Sequence, residues 1–243
     1  MRVELPPPSL ADNSGDADRL LRRVKRGIGS DRIRLPLPLM RSLPAKLRKL
    51  AAQLYLNGML DLRGKLVTQK CGNRRVHQKG IPAIVVVTES ESADGKPLLI
   101  TQIDIDSLIR SKAAMYTILE TLTLHVGVSF DAIDTFGVAG TFGSFIDPEA
   151  AITIGMLPDL PRERFHVLGN ISLEGATRLL TTPKLAKEIG PLRESLTCLE
   201  LNVNQECMNR FSAARFLPHT DMSRFPSVLN TLSLRDKARP KIE

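Results

Sequence analysis

The stretch "FGVAGTFGSFIDPEAAITIG", Phe136 to Gly155, decides the fold. It begins inside the strand-like run "AIDTFGVAG" and ends in "DPEAAITIG". The latter reads as a short helix, with Asp147 as N-cap, Pro148 at the first helical position and Gly155 as its stop. Between strand and helix, Gly140 and Gly143 form a corner. In open α/β sheets ligands sit beyond the C-terminal ends of strands, where helices begin. Glycine there lets a backbone approach a ligand closely, and a helix start offers N–H groups to a phosphate or a polar base edge. A second corner follows in "GNISLEG", with Gly169, Asn170 and Gly175. Two such corners side by side would wall a nucleotide cleft. Pattern alone favours tight-turn packing, because Asp147 satisfies its own helix. Neither G-x-x-x-x-G-K-[ST] nor G-x-G-x-x-G occurs.

Working outward, the elements alternate. "DADRLLRRVKR" predicts a short helix with acids first and bases last. A helix is expected from near Ser42, with Pro44 close to its first turn, through "AKLRKLAAQLYLNGML" with Leu47, Leu50, Ala51 and Leu54 on one stripe. "TQKCGNRRVHQKG" reads as a hairpin tip or loop, and "IPAIVVVTE" as a buried strand. "LLITQ" is a short strand, and Thr101-x-x-Asp104 opens a long helix ending near Gly127. "FHVLGN" reads as a strand and "SLEGATRLL" as a helix opened by Ser172. "TPKLAKEIGPLRESL" is helical in part, "TCLELN" a strand, and "NQECMNRFSAARF" a helix capped by Asn204. "LPHTDMSRFPSVL" reads as irregular. Strand and helix in turn favour an α/β domain with a mostly parallel sheet.

Composition excludes several classes. The 243 residues are 42% hydrophobic and 25% charged, as in ordinary soluble domains. No apolar run reaches the length of a membrane span, and "MRVELPPPSL" is no signal peptide, so the cytoplasm is expected. Cys71, Cys198 and Cys207 form no C-x-x-C pair, and Cys71 with His77 is too few for zinc. The charge is +12 over residues 1–80 and −4 over the rest. Tyr55 is the sole aromatic stacking candidate in the basic part, so a solvated basic face is the stronger reading and nucleic-acid binding the weaker. His77, His125, His166 and His219 stand isolated. Lys112 interrupts an apolar helix face. It either reaches toward a phosphate or, the commoner case, extends its stem to solvent.

The runs "TQIDIDSLIRSKAAM", "VAGTFGSFIDPEAAITIGMLPDLP", "FHVLGNISLEGATRLL" and "FSAARFLPHTD" carry a family pattern. In order and spacing they resemble the C-terminal part of the reductive activators of corrinoid proteins. That family belongs to the acetate and sugar kinase/Hsp70/actin (ASKHA) ATPases. It typically reads "LAGGFGSYLD", "AIRIGLLPDLP", "VGNGSLAGA" and "ALFLPH" at these places. The likeness covers roughly residues 98–228. "VELPPPSLADNSGDADRLLRRV" and "LPLPLMRSLPAKLRK" look like the family's linker, and "LYLNGMLDLRGKL" resembles a segment just after its Cys-Gly-Ser-Gly phosphate turn.

The resemblance implies an α/β ASKHA subdomain with a mostly parallel sheet and flanking helices over residues 61–228. A basic, extended and helical linker over 1–60 precedes it, and a charged tail over 229–243 follows. It implies work in ATP-dependent reduction of a Co(II) corrinoid to the methyl-accepting Co(I) state. The nucleotide contacts would be Ala139, Gly140, Thr141, Phe142, Gly143, Gly169 and Asn170, with Lys112. No catalytic residue and no metal ligand are assigned. The family's [2Fe–2S] cluster takes four cysteines, more than the three present, so no cluster is expected in this chain. The Asp-x-Gly-Thr loop and the Cys-Gly-Ser-Gly turn are missing, with "LPLMRSL" near the latter's place, and Thr141 stands where the family favours Gly. A truncated member with weak ATP binding and weak or no ATPase activity is therefore expected. Its partners would be a corrinoid protein or its methyltransferase, with a homodimer or a full-length activator as further possibilities. A lone subdomain would leave a face uncovered, so either self-association or a substitute cover from the basic N-terminal helices is expected. The alternatives are an inactive remnant or a basic nucleic-acid-binding module.

Overall fold

A computed structural model describes residues 37–92, 95–140, 146–196, 199, 201 and 205–237. Helix α1 spans Leu37–Leu56, five residues earlier than the Ser42 start expected, so Pro44 lies inside it. Its stripe behaves as the spacing predicts: Leu50, Ala51 and Leu54 are buried. A reversal through residues 57–66 follows, closed by an antiparallel bridge between Leu60 and Leu66. Asp61 Oδ1 accepts from the backbone N–H groups of Arg63 and Lys65, both at 2.8 Å, which sets the turn.

Strands β1 (Arg75–Gln78), β2 (Ile81–Val87) and β3 (Leu98–Thr101) form an antiparallel meander in that order. The basic run expected as a hairpin tip thus contributes β1 and the turn into β2. Helix α2 (Gln102–His125) starts with the predicted box. Thr101 N donates to Asp104 Oδ2 at 2.9 Å, and Asp104 N to Thr101 Oγ1 at 3.3 Å.

Strand β4 (Phe136–Ala139), helix α3 (Pro148–Thr153), strand β5 (Phe165–Gly169) and helix α4 (Ile171–Thr181) then alternate. β4 and β5 pair in parallel, with Phe136 opposite Phe165 and Val138 opposite Val167. α4 is capped by Asn170 rather than Ser172: Asn170 Oδ1 accepts from Leu173 N at 3.1 Å. Helix α5 (Ala186–Glu194) carries Pro191 within it, and α6 is Gln205–Ala214. Of the strand expected in "TCLELN", Leu199 is irregular and Leu201 sits in a 3-10 turn. The other residues of that run up to Glu200, and the expected cap Asn204, lie outside the described residues, as does the helix in "DADRLLRRVKR".

The segment 217–229 and the charged tail after it, both expected to be irregular, hold a 3-10 turn at Met222–Arg224 and a 12-residue helix, α7 (Pro226–Lys237), that runs from one into the other. Its start is organised from far away. Asp159 accepts from Ser227 N at 2.7 Å and from Ser227 Oγ at 2.6 Å. No local sequence rule sees a cap 68 residues upstream.

The core gathers Leu54 of α1, Ile84 of β2, Ile105, Ala113 and Tyr116 of α2, Ile152 of α3, Ala214 of α6 and Val228 of α7. α1 packs on α3 and α2 on α6. Lys49 Nζ meets Asp147 Oδ2 at 2.8 Å and fastens α1 to the start of α3. By contrast α4 and α5 bury no residue. The result is an α/β body with a parallel pair, its antiparallel meander and flanking helices.

Candidate functional site

Parallel pairing of β4 and β5 brings the two glycine corners together. Ala139 stands opposite Gly169, and Gly140 N donates to Gly169 O at 2.7 Å. Gly140 (φ +87) and Gly169 (φ +67) both lie in the left-handed region, which L side chains enter at a cost. A Cβ built on either glycine meets nothing within 4 Å. Backbone conformation, rather than crowding among the described residues, asks for glycine at both positions.

Helix α4 begins one residue beyond this pair. Its first N–H groups point out of the helix, as at any helix start, and Asn170 takes one of them. α3 is closed off: Asp147 Oδ1 accepts from Glu149 N at 3.1 Å and from Ala150 N at 3.4 Å. Of the sequence-derived contacts, Ala139, Gly140, Gly169 and Asn170 are thus neighbours. Thr141, Phe142 and Gly143 lie outside the described residues.

Lys112 is placed elsewhere and corrects an expectation. Its stem does not run to solvent; the side chain is 0% exposed. Nζ donates to Pro218 O at 2.7 Å and to Phe216 O. Burial lowers its pKa to about 7. A neutral amine has two N–H donors for these two carbonyls, so the pairing is complete without a charge.

Lys112 heads a polar ladder at four-residue spacing on α2: Lys112, Tyr116 and Glu120. Glu120 Oε1 accepts from Arg224 Nη1. Tyr116 packs against His219 at 5.5 Å and Phe225 at 5.6 Å between ring centroids. Burial pushes the Tyr116 phenol up and His219 down. His219 Nδ1 accepts from Asp221 N at 2.9 Å. The ladder therefore clamps the "FLPHTD" segment onto α2. Sequence reading overlooked Glu120, although its i, i+4 spacing was the available signal. Gly155 completes the clamp from the other side, because a Cβ there would fall 1.9 Å from Pro218 O.

Among the described residues no three His, Cys, Asp or Glu side chains gather as a metal site. Cys71 and Cys207 are both buried, and Cys71 Sγ contacts Val67 O at 3.4 Å. No helix among the described residues is long and apolar enough to cross a membrane.

Residues 47–229 match the family model described as the C-terminal domain of RACo, the ASKHA domain. Residues 1–54 match the model of the RACo linker region. A curated relative, "Corrinoid activation enzyme RamQ" of Eubacterium limosum, is 28% identical over 157 residues, covering 62% of this chain and 26% of RamQ. A solved structure, "Reductive activator for corrinoid,iron-sulfur protein", is 37% identical with a TM-score of 0.69. That match covers 75% of this chain and 29% of the activator. The chain thus spans less than a third of the length of these relatives.

Proposed function

Since the chain belongs to the family of the RACo C-terminal ASKHA domain, we propose that it serves the reactivation of a corrinoid protein. Its part is the nucleoside side of an ATP cleft, joined to a surface on which a partner docks. The observation that carries this reading is the Gly140–Gly169 pair, two left-handed glycines bonded at the end of a parallel strand pair, where an added Cβ meets nothing within 4 Å among the described residues. Such backbone fits the flat face and ribose of a nucleoside. Bound ATP would supply free energy for the one-electron reduction of Co(II) to Co(I), the electron itself coming from a separate iron–sulfur donor. Phosphate clamps, Mg²⁺ and a positioned water are separate requirements of hydrolysis. The Asp-x-Gly-Thr loop that would bring the phosphate side is absent from these 243 residues, so weak or no ATPase turnover is proposed for them alone.

The corrinoid activity named for RamQ and for the solved activator supports a corrinoid protein as the partner. The uncovered layer of β5, α4 and α5 supports the docking half of the reading. Val167, Leu168, Ile171 and Leu173 stand 48 to 64% exposed on it.

Titration calorimetry of the full chain with adenosine, ADP and ATP, in saturating free pyrophosphate so that any separate anion site is already filled, tests the nucleotide half. Affinities within about tenfold of one another are expected, equivalent to about 1.4 kcal/mol. Gly140→Ala should weaken all three while costing the fold only about 1–2 kcal/mol of left-handed strain. Absence of binding by all three ligands, or ATP far tighter than adenosine, would sink the reading.

A further inference from the structure

Away from the glycine corner, a cleft of about 320 Å³ opens between the turn before Leu66, α2 and the end of α6. Arg63 and Lys65 come from the turn, Asp106 and Arg110 from α2, and Arg215 from the residue after α6. Ile109 and Phe216 supply apolar lining. Lys65 Nζ donates to both oxygens of Asp106 at 3.0 Å, so the acid is committed. The guanidinium groups of Arg63, Arg110 and Arg215 have no hydrogen-bond or ion-pair partner among the described residues. Four cations against one carboxylate leave the cleft at +3.

The walls are held in place. Leu217 N donates to Leu62 O at 2.8 Å, joining the turn to the segment after α6. Gln102 Nε2 donates to Gly64 O at 2.9 Å and to Asp106 Oδ1 at 2.8 Å, joining the turn to α2. Lys112 fixes Phe216 through its carbonyl. Three guanidinium groups from three distant segments therefore converge on a fixed frame without an ion-pair partner among the described residues; Asp106 is held by Lys65 and Asp61 by the backbone of the turn. A cleft of one sign focuses the field on an incoming anion. Guanidinium forks match phosphate oxygens in pairs. The volume is at the small end for ligand sites, and a diphosphate carries roughly −3 near neutral pH, matching the cleft.

We propose that this cleft binds a diphosphate-bearing small molecule through Arg63, Arg110 and Arg215. The site is separate from the glycine corner, and it stands whether or not a nucleoside binds there.

Pyrophosphate is the probe, titrated into the full chain by calorimetry. Binding is expected, and a variant carrying Arg63→Gln, Arg110→Gln and Arg215→Gln should lose at least about tenfold in affinity, since each charge-assisted pair is strong. A control with the same charge change on the α4–α5 layer, Arg178→Gln, Lys184→Gln and Lys187→Gln, should retain wild-type affinity. Arg110→Gln alone, on an exposed helix face, gives a second reading should the triple variant fold poorly. ADP displacing pyrophosphate at equal or lower concentration identifies a nucleotide as the source of the diphosphate; weaker ADP identifies free diphosphate. No pyrophosphate binding, equal loss in both triple variants, or unchanged affinity in the cleft variants overturns the proposal. So does displacement of pyrophosphate by an acidic peptide at lower concentration, which assigns the cleft to a protein partner.

Discussion

Lys112 shows how one side chain ties pH to stability. Its pKa is lowered from 10.5 to about 7 by burial, while its two carbonyl acceptors resist that shift by favouring an ammonium. The sign follows from proton counting. Below about pH 7 the folded and unfolded chains both carry the proton, and the fold bears the whole cost of burying the charge. Between pH 7 and 10.5 the unfolded chain holds the proton and the folded chain releases it, so stability rises with pH. The slope from this group is at most about 1.4 kcal/mol per pH unit. Lys112→Met should abolish the rise and also leave the Phe216 and Pro218 carbonyls without their donor. Each orphaned carbonyl costs about 1–3 kcal/mol. Urea unfolding of both proteins at about pH 7 and about pH 9 reads this out. A wild-type midpoint that falls with pH, or a variant that keeps the same rise, contradicts it.

At the scale of elements, α7 depends on a carboxylate that is not its neighbour in sequence. Asp159 caps it through Ser227. Arg162 binds the same group, with Nη1 to Asp159 Oδ1 at 2.9 Å, Nη2 to Ser227 Oγ at 3.0 Å and Nε to Glu149 Oε2 at 2.7 Å. Asp159→Ala removes the cap and leaves Arg162 with fewer partners, so a loss of about 1–2 kcal/mol is expected. Hydrogen exchange should quicken first across residues 226–237; unchanged protection there would refute the capping role. The same comparison explains what the sequence made legible. The starts of α2 and α3 are written locally, in Thr101-x-x-Asp104 and Asp147-Pro148, and the structure forms both. α7 was missed because its cap comes from Asp159. Ser172 is the cap expected for α4, yet Asn170 sits two residues earlier and accepts from Leu173 N. At the corner, composition located Gly140 and Gly169. Their bond to each other depends on β4 pairing with β5, which no single segment encodes.

For the whole molecule, apolar periodicity reports which face is apolar but not what covers it. Met115 and Leu122 keep helical spacing with the buried residues of α2, yet they stand 41% and 43% exposed. The layer of β5, α4 and α5 is more open still, with no buried residue in either helix and Leu180 at 83% exposure. Large exposed apolar patches are uncommon on monomers, and covering a large aliphatic side chain contributes about 1.5–3 kcal/mol. Self-association through this layer is therefore expected for the 26.8 kDa chain. In sedimentation velocity, the average mass should climb above the monomer as concentration rises. Leu168→Glu with Leu173→Glu, both on exposed positions that leave the core untouched, should return the chain to a monomer. The same pair on the other uncovered stripe, Met115→Glu with Leu122→Glu, should leave the association in place. A wild type that stays monomeric at every concentration refutes the association, and an α2 variant that dissociates while the β5–α4 variant does not would move the contact to α2.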